Sequence, residues 1–352
     1  MRRCYLPRHM LAVVTAVVVI GAGGCGYDEE KPIFMAPGSY GDIAIVVSSD
    51  AMVGAAKTLG DELNVAYRFV INREMLFNID VYGPRQWDLS RNYKNIIFLW
   101  RVGDGGPVEK VLRDQLSDAG EARAAEPKGA LIELEQPFAS YQHAVVITGQ
   151  DRNSLLSSAR ARADDLRQLF ERESQSRIMR RYRHEGLNEQ LMAQVWRKHR
   201  FFMEIPGGFQ LNQDEPDGYP GVELMKTAPS RGITVAWSQS VDPGLIAEYK
   251  PLLIELRREM GLKMHGEDIV EDSFVWKEDT VGDLPALRLE GAWTSRRFEG
   301  GGPFWSWFVA DPERQRVICI DALCYAPGMD KMDIFRRLRA VVQTFSLDRP
   351  QP

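Results

Sequence analysis

The chain has 352 residues, which is longer than one hydrophobic core of ordinary size supports, so its length predicts two domains. Its composition, 44% hydrophobic and 26% charged residues, is that of a globular protein and excludes a disordered, collagen-like or polytopic membrane chain. A formal net charge of −5 argues against nucleic acid as a partner, because the phosphates repel an acidic protein.

The first 24 residues predict a signal peptide. Arg2, Arg3 and Arg8 form a positive segment, and an uncharged apolar run follows at 10–22. This run is shorter than the roughly 20 residues that a membrane-spanning helix needs, and its length is typical of a signal-peptide core.

Ala22, Gly23 and Gly24 then lead directly into Cys25. Small residues before a cysteine resemble a lipobox, although Ala22 stands where leucine is usual. The resemblance implies cleavage between Gly24 and Cys25 and attachment of a diacylglyceryl group, with fatty acids such as palmitate, to the Cys25 thiol. An ordinary secretory signal and an uncleaved anchor are the alternative interpretations.

A processed lipoprotein carries two or three acyl chains, and each buried CH₂ contributes about 0.8 kcal/mol to anchoring. Residues 25–40 are then a polar tether, and the mature chain carries a formal charge of −8 after the loss of three arginines. We expect a lipid-anchored protein that faces the periplasm. Gly26 after the cysteine favours the outer membrane over the inner one.

Residues 41–150 predict an α/β sandwich domain, because short apolar strands alternate with helices. The strands are predicted at 42–49, 77–82, 95–102, 130–135 and 143–149, and the helices at 50–63 and 107–117. The run at 95–102 is apolar on both faces, as a central strand covered on both sides would be.

Residues 151–200 predict a basic helical segment, which Asp151 caps and which bends at Glu185 and Gly186. Its candidate contact residues for an anionic surface are Arg177, Arg180, Arg181, Arg183, Arg197 and Arg200. Near an anionic membrane such residues contribute about 1 kcal/mol each. The alternative is a solvated helix face whose arginines pair with nearby carboxylates.

Residues 201–348 predict an α+β domain with a mainly antiparallel sheet and a closing helix. The strands are predicted at 201–211, 221–227, 232–240, 273–276, 286–294, 303–310 and 316–325, and the helices at 243–260 and 330–345. The fold class as a whole is therefore α/β followed by α+β, joined by the helical segment.

Four motifs carry a family resemblance: ITGQDRNSLL at 147–156, IPGGF at 205–209, the hairpin sequence at 301–331 and RRLRAVVQTF at 336–345. Together they resemble uncharacterised lipoproteins with domain of unknown function 4837. The C-terminal half is also loosely similar to PsbP-like domains. The first resemblance implies membrane attachment and two α/β domains but no activity; the second implies a binding or assembly-assisting module.

The strand predicted at 303–310 is aromatic on both faces. Gly301, Gly302, Trp305 and Trp307 are candidates for a ligand or partner groove, and a strand buried between two layers is the alternative. Cys319 and Cys324, five residues apart in the next strand, are expected on opposite faces roughly 16 Å apart. This is too far for a disulfide unless a sharp bulge in the strand brings them together, so buried free thiols are expected.

No catalytic or metal-binding constellation stands out. The glycine-rich loop at 103–107 predicts a tight turn with Pro107 opening a helix. His184 and Glu185 lack the second histidine of a zinc site, because position 188 is Asn, so neither a metal nor another cofactor is expected.

The sequence predicts a non-catalytic binding or assembly module whose partner is an envelope protein or polymer. An envelope hydrolase acting on glycan or peptide and a small-ligand-binding lipoprotein are the alternatives.

Overall fold

The structure, a computed structural model, describes residues 35–349 except 70, 71, 240, 241, 247 and 272. The signal peptide, the cleavage site at Gly24 and Cys25, and most of the tether lie outside the described residues. The described residues belong to one compact unit. Within the described part of the chain, no helix has both the length and the apolar character to cross a membrane.

The first sheet contains β1 (Asp42–Val47), β4 (Asn78–Tyr82), β5 (Asn95–Arg101), β6 (Leu131–Glu135) and β7 (His143–Gly149). Its order is β4-β1-β5-β7-β6, and all neighbours are parallel except the edge pair β6 and β7. The central strand β5 is buried over its first six residues, because helices cover both faces of the sheet.

Helices lie on both sides of this sheet. One side carries α1 (Val53–Leu63), α5 (Arg152–Ala161) and α6 (Ala163–Glu185). The other carries α2 (Trp87–Ser90), α3 (Pro107–Gln115) and α4 (Asp118–Ala124). The result is a three-layer α/β/α arrangement, as the alternation of elements in the sequence predicts.

The second sheet is antiparallel. Its strands are β8 (Gln210–Asp214), β9 (Gly221–Lys226), β10 (Ser230–Ser238), β11 (Glu267–Ile269), β12 (Val275–Val281), β13 (Leu284–Ser295), β14 (Gly301–Asp311) and β15 (Arg316–Tyr325). The order is β11-β13-β14-β15-β10-β9-β8, with β12 pairing with β13. The mixed α+β fold class with a closing C-terminal helix is confirmed.

Helix α8 (Lys250–Met260) covers one face of the second sheet. The opposite face packs against α6, α7 (Glu189–His199) and α9 (Met332–Val342). A short hairpin, β2 (Ala66–Phe69) and β3 (Asn72–Met75), stands beside α9. Buried side chains of both sheets therefore belong to one cluster in which α6 and α9 lie between the sheets.

Two predicted elements need correction. The strand predicted at 201–211 is wrong except for its last two residues, which begin β8. The rest of the segment makes only isolated bridges, Phe202 to Ser346 and Pro206 to Leu187, and Phe201 is buried in the core. The helix predicted at 243–260 begins only at Lys250, and 243–245 is a single 3-10 turn. The hairpin β2–β3, helices α2 and α4, and strand β11 were not predicted.

Cys319 and Cys324 are both free and buried, and they belong to clusters on opposite faces of the second sheet. The prediction from strand periodicity is confirmed. Burial raises the pKa of the Cys324 thiol to about 12, so this side chain is protonated and unreactive at neutral pH.

A buried arginine joins the two halves of the unit. Arg336 of α9 is 3% exposed; its Nε donates to Glu171 Oε1 of α6 at 2.8 Å, and Nη2 donates to the carbonyl of Leu76. Its guanidinium also lies against Gly41, where an added Cβ would stand 2.3 Å from Arg336 Nη1. A side chain at position 41 would therefore displace this guanidinium from its present position.

We predict that Arg336→Ala lowers the free energy of unfolding by about 3–5 kcal/mol, because it leaves the Glu171 carboxylate buried without its partner. Urea denaturation of the purified protein measures this. The matched control is Arg160→Ala, which removes an exposed ion pair with Glu62 at 2.7 Å and should cost less than about 1 kcal/mol. Equal effects of the two changes would contradict the assignment of Arg336 as the link.

Candidate functional site

A cavity of about 440 Å³ opens where the first described residues of the chain meet the folded unit. We call it the tether pocket. Its lining residues come from the tether end, the start of β5, the loop before β7, α6 and α9. They are Met35, Gly38, Ser39, Tyr40, Lys94, Tyr141, Arg177, Arg181, His184, Glu185 and Arg337.

Hydrogen bonds hold the tether end in place. The backbone N–H of Ala36 donates to the Ser140 carbonyl at 3.1 Å. The Tyr40 carbonyl accepts from Asn95 Nδ2 and from Ser174 Oγ, both at 3.0 Å. Tyr40 thus has a defined position on the wall of the pocket, and its side chain is 7% exposed.

Three separate elements supply the positive charge. Lys94 stands just before β5, Arg337 lies on α9, and Arg177 and Arg181 are four residues apart on α6. Residues at this spacing share one face of a helix, so both arginines reach the same cavity. Among the lining residues, Glu185 is the one carboxylate, and Arg181 Nε donates to it at 2.6 Å.

Arg177 is the most constrained of these cations, because it is only 4% exposed. Its Nη1 donates to Asn95 Oδ1 at 2.7 Å, whereas Nη2 makes no hydrogen bond and lies 3.8 Å from Glu173 Oε2. Burial lowers the pKa of Arg177 to about 10, so the group remains charged at neutral pH. A buried charge without a full set of partners is destabilising, and an anion beside it would compensate.

Lys94 and Arg337 flank the aromatic ring of Tyr40. Lys94 Nζ lies 5.6 Å and Arg337 Cζ 5.3 Å from the ring centroid, within the range of cation–π attraction. Burial, and then the positive charge of Arg177, lowers the pKa of Lys94. Arg337 also pairs with Asp333 at 3.0 Å. The pocket thus concentrates positive charge that its own carboxylates only partly neutralise.

The six arginines predicted from the sequence to contact an anionic surface lie at different places in the structure. Arg177 and Arg181 line the tether pocket, and Arg180 stacks 5.2 Å from the Tyr141 ring at its rim. Arg183 makes two hydrogen bonds to Glu204, at 2.7 and 2.8 Å, away from the pocket. The burial of Arg177 corrects its expected place on an exposed surface: the core between the sheets encloses this turn of α6.

The other two arginines lie on α7 and its end. Arg197 donates to the Ala193 carbonyl one turn earlier in that helix, at 3.2 Å. Arg200 follows the helix with a left-handed backbone. Neither residue lines the tether pocket, so the six arginines do not act as one set.

The aromatic strand is part of the core. Trp305 is 2% and Trp307 0% exposed, and Trp307 Nε1 donates to Asp279 Oδ2 at 2.9 Å. An added Cβ would lie 2.4 Å from the Trp293 carbonyl at Gly301 and 2.2 Å from the Cys324 carbonyl at Gly302. The tryptophans do not form an accessible groove, because both faces of the sheet are covered, and the glycines permit close strand packing.

A second polar cluster lies beneath α8. Thr234 Oγ1 is 3.0 Å from His265 Nε2, and His265 Nδ1 is 2.9 Å from Glu223 Oε1. The order of hydroxyl, imidazole and carboxylate is that of the catalytic triad of serine hydrolases. Thr234 is 0% exposed, however, so its hydroxyl is not available to a substrate in this structure. The cluster connects α8 and the following turn to the sheet.

The same cluster contains an unusually placed carboxylate. Burial raises the pKa of Glu267 to about 7. For His265, burial opposes the charged form, but the hydrogen bond to Glu223 and neighbouring carboxylates raise its pKa overall. Arg257 and Asp321, both 0% exposed, pair here at 3.2 Å. In the described part of the chain, no group of three or more His, Cys, Asp or Glu side chains is placed to hold a metal ion.

The pKa of Glu267 is about 7 in the folded protein and 4.5 for an ordinary glutamate, so the folded state holds this proton more tightly than the unfolded state does. We therefore predict that the free energy of unfolding falls as the pH rises from 4.5 to about 7. His265 adds a further decrease above 6.5. Urea denaturation across this range should show a shallower dependence for Glu267→Gln than for the wild-type protein. Identical slopes would refute the assignment.

Part of the chain is similar to a known protein family. Residues 259–344 match the family model described as "Domain of unknown function (DUF4837)". The resemblance stated from the sequence is confirmed over this DUF4837 segment. It runs from the end of α8 to the end of α9, contains strands β11 to β15, and contributes Arg337 to the tether pocket.

No curated protein matches the chain. Among solved structures, a similar chain is LpqN of Mycobacterium tuberculosis, described as involved in cell envelope biogenesis. It shares 14% sequence identity with this chain at a TM-score of 0.29, and the match covers 42% of this chain and 82% of LpqN.

Proposed function

We propose that this protein is a lipid-anchored protein of the bacterial cell envelope that binds an anionic partner in the tether pocket. The observation that carries the proposal is the pocket itself, in which Lys94, Arg177, Arg181 and Arg337 face one cavity in a chain of net negative charge. The role is binding or assembly rather than catalysis.

The anchor rests on the sequence. The apolar run at 10–22 and the small residues before Cys25 favour lipoprotein processing, which would place two or three acyl chains on Cys25. The protein would then face the periplasm, and Gly26 favours the outer membrane.

The electrostatics of the pocket explain why an anion would be attracted there although the chain as a whole is acidic. A concave site of one charge sign raises the local concentration of opposite charges. Arg177 holds charge in a buried position, where an opposite charge is attracted more strongly than it would be in water. The positive charge of the cavity would therefore contribute to the binding free energy of an anionic partner.

We predict that Cys25→Ser shifts the protein out of the membrane fraction, because the thioether to the lipid needs a thiol. Cell fractionation measures the shift, and mass spectrometry of the wild-type protein should find a mature N-terminus at an acylated Cys25. An N-terminal peptide that begins elsewhere, or an unmodified Cys25, would contradict the anchor.

We predict that the purified mature protein binds polyphosphate, a soluble anionic probe, and that Arg181→Glu weakens this binding about tenfold or more by reversing one charge in the pocket. Arg183→Glu is a close control, because the two side chains are 57% and 55% exposed, both pair with a glutamate, and only Arg181 lines the pocket. Equal losses in both variants, or no binding by the wild type, would refute the proposed site.

A further inference from the structure

The tether pocket lies at the place where the chain leaves the folded unit towards its anchor. Met35 lines the pocket and is ten residues after Cys25. A chain of that length spans at most about 33–36 Å when fully extended. The pocket of the anchored protein therefore stays within this distance of the acylated residue, close to the headgroups of the same membrane.

The donors in the pocket suit a phosphate group. Arg181 and Arg337 offer planar guanidinium groups, and Lys94 offers a compact ammonium, from three different parts of the chain, while the buried Arg177 adds positive charge behind them. Arginine forks match phosphate oxygens, and lysine binds them as a point charge. A tetrahedral group with several oxygens can accept from donors that converge in this way.

The nearby carboxylates are largely engaged by cations. Glu185 accepts from Arg181, Asp333 pairs with Arg337, and Glu173 lies 3.8 Å from Arg177. These pairs account for three of the four cations that line the pocket, and Lys94, whose Nζ donates to the Gly38 carbonyl, is the cation that they leave over. A phosphate group is therefore attracted to the cavity and does not have to displace a buried carboxylate.

The rim of the pocket is apolar and aromatic, which a free phosphate ion would not need. Met35 is 67% exposed there, and Tyr40 and Tyr141 form part of the wall. Tyrosine and methionine side chains suit the boundary between headgroups and acyl chains, where one end of the side chain is apolar and the other is wet. The positive charge inside the pocket would face the lipid phosphate, and the apolar rim would face the acyl chains that follow it.

We propose that the tether pocket binds the phosphate of an anionic phospholipid headgroup in the membrane that holds the anchor. This inference rests on the function proposed above and deepens it, because it names the anionic partner. Binding at the anchor and at the pocket gives the protein two attachment points. The face that bears Met35, Tyr141 and Lys94 then lies against the bilayer.

The test uses the mature lipidated protein in vesicles and measures the reactivity of Lys94 towards an amine-acetylating reagent by mass spectrometry. In vesicles with about one third phosphatidylglycerol in phosphatidylcholine, we expect Lys94 to be acetylated about fivefold more slowly than in phosphatidylcholine alone. A third sample contains phosphatidylcholine vesicles and inorganic phosphate. The concentration of inorganic phosphate equals that of the phosphatidylglycerol in the mixed vesicles. Lys198, which pairs with Asp214 at 2.8 Å outside the pocket, is the internal reference.

Protection of Lys94 by phosphatidylglycerol that is lost in Arg181→Glu and kept in Arg183→Glu would support the inference. Circular dichroism melting of both variants is the control that checks that they are folded. Equal protection by inorganic phosphate would overturn the lipid source, and equal loss in both variants would overturn the pocket as the contact. If polyphosphate binds the pocket but phosphatidylglycerol gives no protection, only this inference fails. If neither binds, the proposed function fails as well.

Discussion

The enclosure of α6 between two sheets is the constraint on which the rest of the structure depends. One side of this helix contacts α1 and the first sheet, and another contacts α9, which covers the second sheet. A helix enclosed in this way must pair its polar side chains, since an unpaired buried group is costly. Glu171 pairs with Arg336, Ser174 with the Tyr40 carbonyl, and Arg177 with Asn95.

The tether pocket is a consequence of the same arrangement. Its cations come from the start of the central strand β5, from α6 and from α9, so the cavity forms only when both sheets have packed around the helix. The DUF4837 segment supplies only Arg337 of these cations. The binding proposed for the pocket would therefore need the assembled unit and not only the matched segment, and a ligand there would also stabilise the packing of the two sheets.

The buried cluster under α8 has a different character. Glu223, His265 and Arg257 lie on the face of the second sheet opposite α9, and each is enclosed. Arg257 of α8 donates to Asp321, and His265 after the helix pairs with Glu223, so polar contacts as well as apolar packing connect this layer to the strands. These contacts bury titratable groups in the core, so the stability of this layer depends on pH. The charges of the tether pocket, in contrast, face a cavity that a ligand could enter.

Local rules determined much of the architecture from the sequence. The apolar run of β5, the capping box of Asp151 with Ser154 at the start of α5, and the opposite faces of Cys319 and Cys324 all follow from short-range periodicity or capping. The tertiary structure decided which polar residues are buried. Arg177 and Arg183 lie on the same helix, yet one is enclosed and the other pairs with Glu204 at the surface. Their partners come from distant segments, so no local pattern distinguishes the two arginines or reveals the cavity that one of them lines.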